Sequence, residues 1–134
     1  PCKYLAIEAS IARYLQGVGS NKWDPNYTWG REVIPPENVK SLEPELFVKR
    51  EKGCLAVKKL SKKLPLNEFR LMNFKKMNGN SLDNLDINSY LLRMGREEGD
   101  YRYFIVYDNY LNILSYNCSN YYGLSVGLLS DKFK

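Results

Sequence analysis

The chain has 134 residues, 44% hydrophobic and 26% charged, with 20 Lys and Arg against 15 Asp and Glu for a formal charge of +5. That length predicts a single domain over residues 1–134, and the apolar content excludes intrinsic disorder. The absence of histidine removes Ser-His and Cys-His nucleophile pairs, imidazole metal sites and a histidine pH switch, and no apolar run approaches the roughly 18 residues of a transmembrane segment.

The chain starts Pro1-Cys2 with no Met and no charged-then-apolar leader, the pattern of a processed chain or a trimmed fragment. Tyr4, Ile7, Ile11 and Leu15 recur at helical spacing before Gly17. They predict one amphipathic helix over residues 3–16 whose stripe packs on the core. Gly17-Val18-Gly19-Ser20-Asn21 is a loop without the Gly-Lys-Ser/Thr ending of a phosphate cradle. Residues 22–46 contain Pro25, Pro35, Pro36 and Pro44 and are expected to form an irregular lead-in. Trp23, Tyr27 and Trp29 within it suit either an aromatic lid over a ligand or a core plug.

From residue 46 the pattern turns to β. Leu46-Phe47-Val48, Cys54–Val57, Phe69–Phe74 and the second half of Leu82–Met94 are short segments bounded by Lys, Pro, Asn or Gly. Tyr101–Asp108, Leu111–Cys118 and Tyr122–Ser130 are rich in Tyr, Ile, Val and Leu, with hairpin turns expected at Asp108-Asn109 and Ser119-Asn120. Tyr101, Tyr103, Ile105 and Tyr107 would share one face, with Phe104 and Val106 on the other. A sheet with one wet face would alternate more cleanly, so both faces are expected to be covered. The expected fold is mainly β: an antiparallel meander barrel or strongly curled sheet, with strands over 46–130 and one N-terminal amphipathic helix. An α+β arrangement, with the helix packed on a curved sheet, is the alternative.

Candidate chemistry is sparse. Asp83 with Asp86, and Glu97 with Glu98, fall in expected turns or helix ends, where carboxylates cap or face solvent. Asp24-Pro25-Asn26 lacks the spacing of a calcium loop. No catalytic residue, cofactor or metal site is expected; the chain leans towards a binding protein, with enzymatic activity left open. Cys2, Cys54 and Cys118 have no C-x-x-C spacing; one bridge with a leftover thiol in a secreted chain, or three reduced thiols in a cytoplasmic one, would both be consistent. The sequons Asn26-Tyr27-Thr28 and Asn117-Cys118-Ser119 tilt towards secretion. Lys49, Arg50, Lys52, Lys58, Lys59, Lys62, Lys63, Arg70, Lys75 and Lys76 concentrate the positive charge in the middle of the chain and are expected on a solvated β face. With 11 Tyr and 5 Phe they would also suit stacking of single-stranded nucleic acid, although the Tyr-rich and Lys-rich strands do not coincide.

The string Gly99-Asp100-Tyr101-Arg102-Tyr103-Phe104-Ile105-Val106-Tyr107-Asp108-Asn109-Tyr110-Leu111-Asn112-Ile113-Leu114-Ser115-Tyr116-Asn117-Cys118, with Gly127-Leu128-Leu129-Ser130 after it, resembles the second half of a lipocalin. The resemblance covers residues 99–131. The family's Gly-x-Trp motif has no counterpart, Gly17 and Trp23 being six apart, and Asp131 stands where its closing Arg would be. What the resemblance implies is a calyx, with a Cys2–Cys118 bridge that leaves Cys54 free and a secreted or extracellular protein. Joined to apolar strand faces, it implies non-catalytic binding of a small hydrophobic ligand in a β-barrel cavity. Trp23 and Trp29 would then stand near the mouth, and Tyr103, Ile105, Tyr107, Leu124 and Val126 would line the wall. A nucleic-acid-binding module and a protein–protein interaction domain are the alternatives.

Overall fold

The computed structural model describes residues 27–132. In chain order the elements are β1 (Gly30–Ile34), α1 (Val39–Leu46), α2 (Leu55–Lys58), β2 (Leu64–Pro65), α3 (Leu66–Leu71), β3 (Lys75–Lys76), β4 (Asn88–Met94), β5 (Arg102–Tyr107), α4 (Asp108–Tyr116) and α5 (Asn120–Asp131). The five strands form one strongly curled antiparallel sheet in the order β2-β4-β5-β1-β3.

The β4–β5 hairpin is the spine of this sheet, pairing Leu91 with Ile105 and Leu92 with Phe104. Because side chains alternate along a strand, Tyr90, Leu92, Phe104 and Val106 enter one core, while Leu91, Tyr103, Ile105 and Tyr107 enter another. The apolar character of both strand faces thus has the expected cause: both are covered. Helices α2, α4 and α5 contribute Ala56, Tyr110, Ile113, Leu114, Leu124 and Val126 to the first core. Helices α1 and α3 contribute Leu46, Leu66 and Phe69 to the second. Each fully buried large apolar side chain stabilises by about 1.5–3 kcal/mol relative to its exposed state.

The curled antiparallel sheet is as expected, but its covers come from segments expected to be strands. Leu111–Cys118 and Tyr122–Ser130 lie largely in α4 and α5. Tyr110, Ile113 and Leu114, three and four residues apart, turn one face of α4 to the sheet. Leu46 ends α1 with Phe47 and Val48 in the loop after it, Leu55–Val57 lies in α2, and Phe69–Leu71 ends α3 before a turn, so none of these segments is a strand. The expected irregular lead-in holds β1 and α1, and the helix expected over 3–16 lies outside the described residues.

Three close approaches at glycines fix the layers. A Cβ on Gly30 would stand 2.4 Å from the Ile105 carbonyl oxygen, so only glycine lets β1 lie this close to β5. On α5, Gly123 and Gly127, one turn apart, receive the Tyr110 ring and the Trp29 indole. Among the described residues no helix is long and apolar enough to cross a membrane.

Candidate functional site

The disulfide joins Cys54 to Cys118, with their Cα atoms 6.2 Å apart. This overturns the Cys2–Cys118 pairing and the free Cys54. Cys118 is held by the N-terminal boundary of α2, and Cys2 lies outside the described residues. The bridge anchors the short loop between α4 and α5, in which Asn117 and Ser119 are extended. Ser119 caps α5: its Oγ accepts from the Tyr122 N–H at 3.1 Å. Behind the loop, buried Asn120 donates to the Ala56 carbonyl at 3.2 Å and accepts from the Tyr110 hydroxyl at 2.8 Å. A covalent bond, a helix cap and two buried hydrogen bonds therefore hold one loop.

What this loop presents is aromatic and polar. The buried face of α4 leaves Tyr116 outside, 53% exposed, and Tyr121 is 74% exposed. The Tyr116 and Tyr122 rings stack with centroids 6.3 Å apart and planes 21° apart. Burial, then the neighbouring Tyr116, raises the Tyr122 phenol above its usual pKa. Asn117 is exposed beside the pair. On the loop's other side a cleft of about 270 Å³ is lined by Leu55, Lys59, Met94, Cys118, Ser119 and Tyr121. Aromatic faces take up the apolar C–H face of a sugar ring, while amide and hydroxyl groups match its hydroxyls.

Carboxylates lie elsewhere. Glu43 accepts from the Tyr103 hydroxyl at 2.6 Å and pairs with Arg93. Glu32 receives both ends of the Arg102 fork, at 3.0 and 2.7 Å. Asp108 accepts from Asn88 and from Tyr90, and Asp131 from the Trp29 indole. A larger hollow of about 480 Å³ is bordered by Glu32 and Asp131, both engaged in those bonds. Among the described residues no group of three or more His, Cys, Asp or Glu could hold a metal ion.

The residues expected to line a calyx are dispersed through filled cores. Tyr103, Ile105 and Tyr107 pack under α1 and α3, whereas Trp29, Leu124 and Val126 belong to the opposite core. Trp23 lies outside the described residues. Tyr116, Asn117, Tyr121 and Tyr122 were not singled out as site residues by sequence reasoning. The signal available was Ser119, a strong N-cap residue, placing a helix start where a strand was expected.

The family model of the transglycosylase SLT domain matches residues 6–131, and the chain belongs to that family. Among solved structures it is similar to SltB3 from Pseudomonas aeruginosa, at 30% identity in two complexes. One holds NAG-anhNAM-pentapeptide, with a TM-score of 0.63; the other holds NAG-NAM-pentapeptide, with a TM-score of 0.61. Each alignment covers 83% of this chain and 26% of SltB3, so the chain spans about a quarter of that protein. No match is found among curated proteins. These similarities overturn the lipocalin resemblance, the non-catalytic binding of a small hydrophobic ligand and the nucleic-acid and protein-docking alternatives. The physical cause of the error is local: the supposed closing strands of the calyx are α4 and α5.

Proposed function

We propose that the chain works as one domain of a peptidoglycan-cleaving transglycosylase, and that its α4–α5 loop binds the glycan strand. The observation that carries this reading is the similarity to SltB3, whose solved complexes hold NAG-NAM and NAG-anhNAM pentapeptides. The loop supplies matching chemistry: the Tyr116–Tyr122 pair for pyranose faces, and the Asn117 amide for hydroxyl and acetamido groups. Cleaving a glycosidic bond also requires a proton donor to the leaving oxygen. The partly buried carboxylates Glu43 and Glu32 are engaged with Arg and Tyr, and no carboxylate lines the cleft beside the loop. We therefore assign the described residues to binding and orientation of the sugar, not to proton transfer.

Peptidoglycan lies outside the cytoplasm, and the Cys54–Cys118 bridge suits an oxidising compartment, so we place the protein in the periplasm or extracellular space. The experiment is sedimentation of the 134-residue chain with insoluble peptidoglycan and, separately, with cellulose. Retention on peptidoglycan alone supports the reading, and equal partition on both polymers contradicts it.

A further inference from the structure

We infer that the basic surface formed by residues 49–63 continues the glycan site and binds the carboxylates of the peptide stems carried by the substrate. This rests on the peptidoglycan reading above. The segment contains seven Lys and Arg and one carboxylate, Glu51. Lys49, Lys52, Lys58, Lys59, Lys62 and Lys63 are all exposed. The ion pairs among the described residues join Lys40 to Glu98, Lys76 to Asp83, Arg93 to Glu43 and Arg102 to Glu32, and none involves this segment. A surface that serves only solubility intersperses both signs; this one concentrates a single sign.

The fold gathers the segment and ties it to the sugar-binding loop. Arg50 donates to the Ser61 carbonyl and sits 5.6 Å above the Tyr90 ring, drawing residues near 50 against those near 61. The Lys62 N–H donates to the Leu46 carbonyl at 2.8 Å. Within the same segment, Cys54 is bonded to Cys118 of the α4–α5 loop, and Leu55 and Lys59 line the cleft shared with Tyr121. A sugar bound at the loop would therefore hold its peptide substituent beside the lysines. Every peptide stem ends in a carboxylate unless that end is modified, and exposed ammonium groups on flexible stems suit an anion whose position varies along a polymer.

The test measures binding of the 134-residue chain to peptide-bearing peptidoglycan and to glycan strands stripped of peptides. The variant is Lys52→Gln/Lys58→Gln/Lys62→Gln/Lys63→Gln, with Lys59 left in place because it lines the cleft. The wild type should prefer peptide-bearing material, and this preference should shrink as salt shortens the range of charge interactions. The variant should lose roughly tenfold affinity for peptide-bearing material, the sum of four weak exposed pairs, and nothing for stripped strands. The corresponding Lys→Arg variant should retain the preference. Equal losses on both materials, or no loss on either, would overturn the inference. Failure of the wild type to bind stripped strands would overturn the glycan-binding assignment itself.

Discussion

Gly127 lies so close to Trp29 that a Cβ at position 127 would stand 2.5 Å from the indole ring. Trp29 is completely buried, and its indole N–H donates to Asp131, one turn further along α5, at 3.2 Å. The ring cannot retreat without disturbing the core. Gly127→Ala should therefore destabilise by about 1–3 kcal/mol, the usual cost of overpacking, despite the better helix propensity of alanine. Urea unfolding followed by Trp fluorescence checks this; an unchanged midpoint would contradict the packing.

Asn120 links α2 to α4 through its amide, donating to the Ala56 carbonyl and accepting from Tyr110. Asn120→Ala should cost about 1–3 kcal/mol, because buried partners lose their hydrogen bonds. It should also weaken peptidoglycan retention, since the sugar-binding loop ends one residue earlier, at Ser119. Denaturation midpoints and sedimentation with peptidoglycan, measured on the same preparation, separate the two effects.

The paired strands β4 and β5 were legible because Tyr, Ile, Val and Leu alternate there over two apolar faces. Helix α4 was not: Tyr110, Asn112, Leu114 and Tyr116 also lie two apart, so strand and helix periods coincide over so short a run. Helix α5 buries Gly123, Leu124, Val126, Gly127 and Ser130, which blurs its stripe, and its Gly, Ser and Tyr are weak helix formers. Packing of Gly123 and Gly127 against Tyr110 and Trp29 overrides that propensity, and such long-range contact is invisible to a local pattern. The cysteine pairing was equally hidden, since three cysteines allow three pairings and spacing alone selects none. The stacked Tyr116–Tyr122 pair required the turn of α5 to be known.

The Cys54–Cys118 bridge spans 64 residues of sequence. Constraining a loop of that length in the unfolded chain contributes about 4 kcal/mol. Cys54→Ser/Cys118→Ser should lower stability by an amount of that order, and a reducing agent should lower the wild-type midpoint while leaving the variant's unchanged. Equal sensitivity of both proteins to reductant would contradict the pairing.

Three buried tyrosines make stability fall at alkaline pH. The Tyr90 phenol is pushed up to about 12, first by burial and then by Asp108 beside it. Burial also raises Tyr110, and burial followed by the bond to Glu43 raises Tyr103. In the unfolded chain these phenols ionise from about pH 10, so above that the folded state holds more protons. Stability from this source is complete below about pH 10 and is lost as pH rises through the raised folded values. Urea midpoints should hold up to about pH 10 and drop between about pH 10 and 12, less steeply in Tyr90→Phe. A flat profile would contradict the burial of these hydroxyls.

Glycan binding by the α4–α5 loop is measured by calorimetric titration of the 134-residue chain with a NAG-NAM-pentapeptide fragment. Saturable binding is expected, weakened roughly tenfold or more in Tyr116→Ala/Tyr122→Ala, since each aromatic contact is worth about 0.5–1.5 kcal/mol. The double variant should still unfold cooperatively, with stability lowered by about 1–3 kcal/mol because Tyr122 packs against the first core while Tyr116 is exposed. No saturable heat from the wild type, or an affinity unchanged in the double variant, would contradict the account.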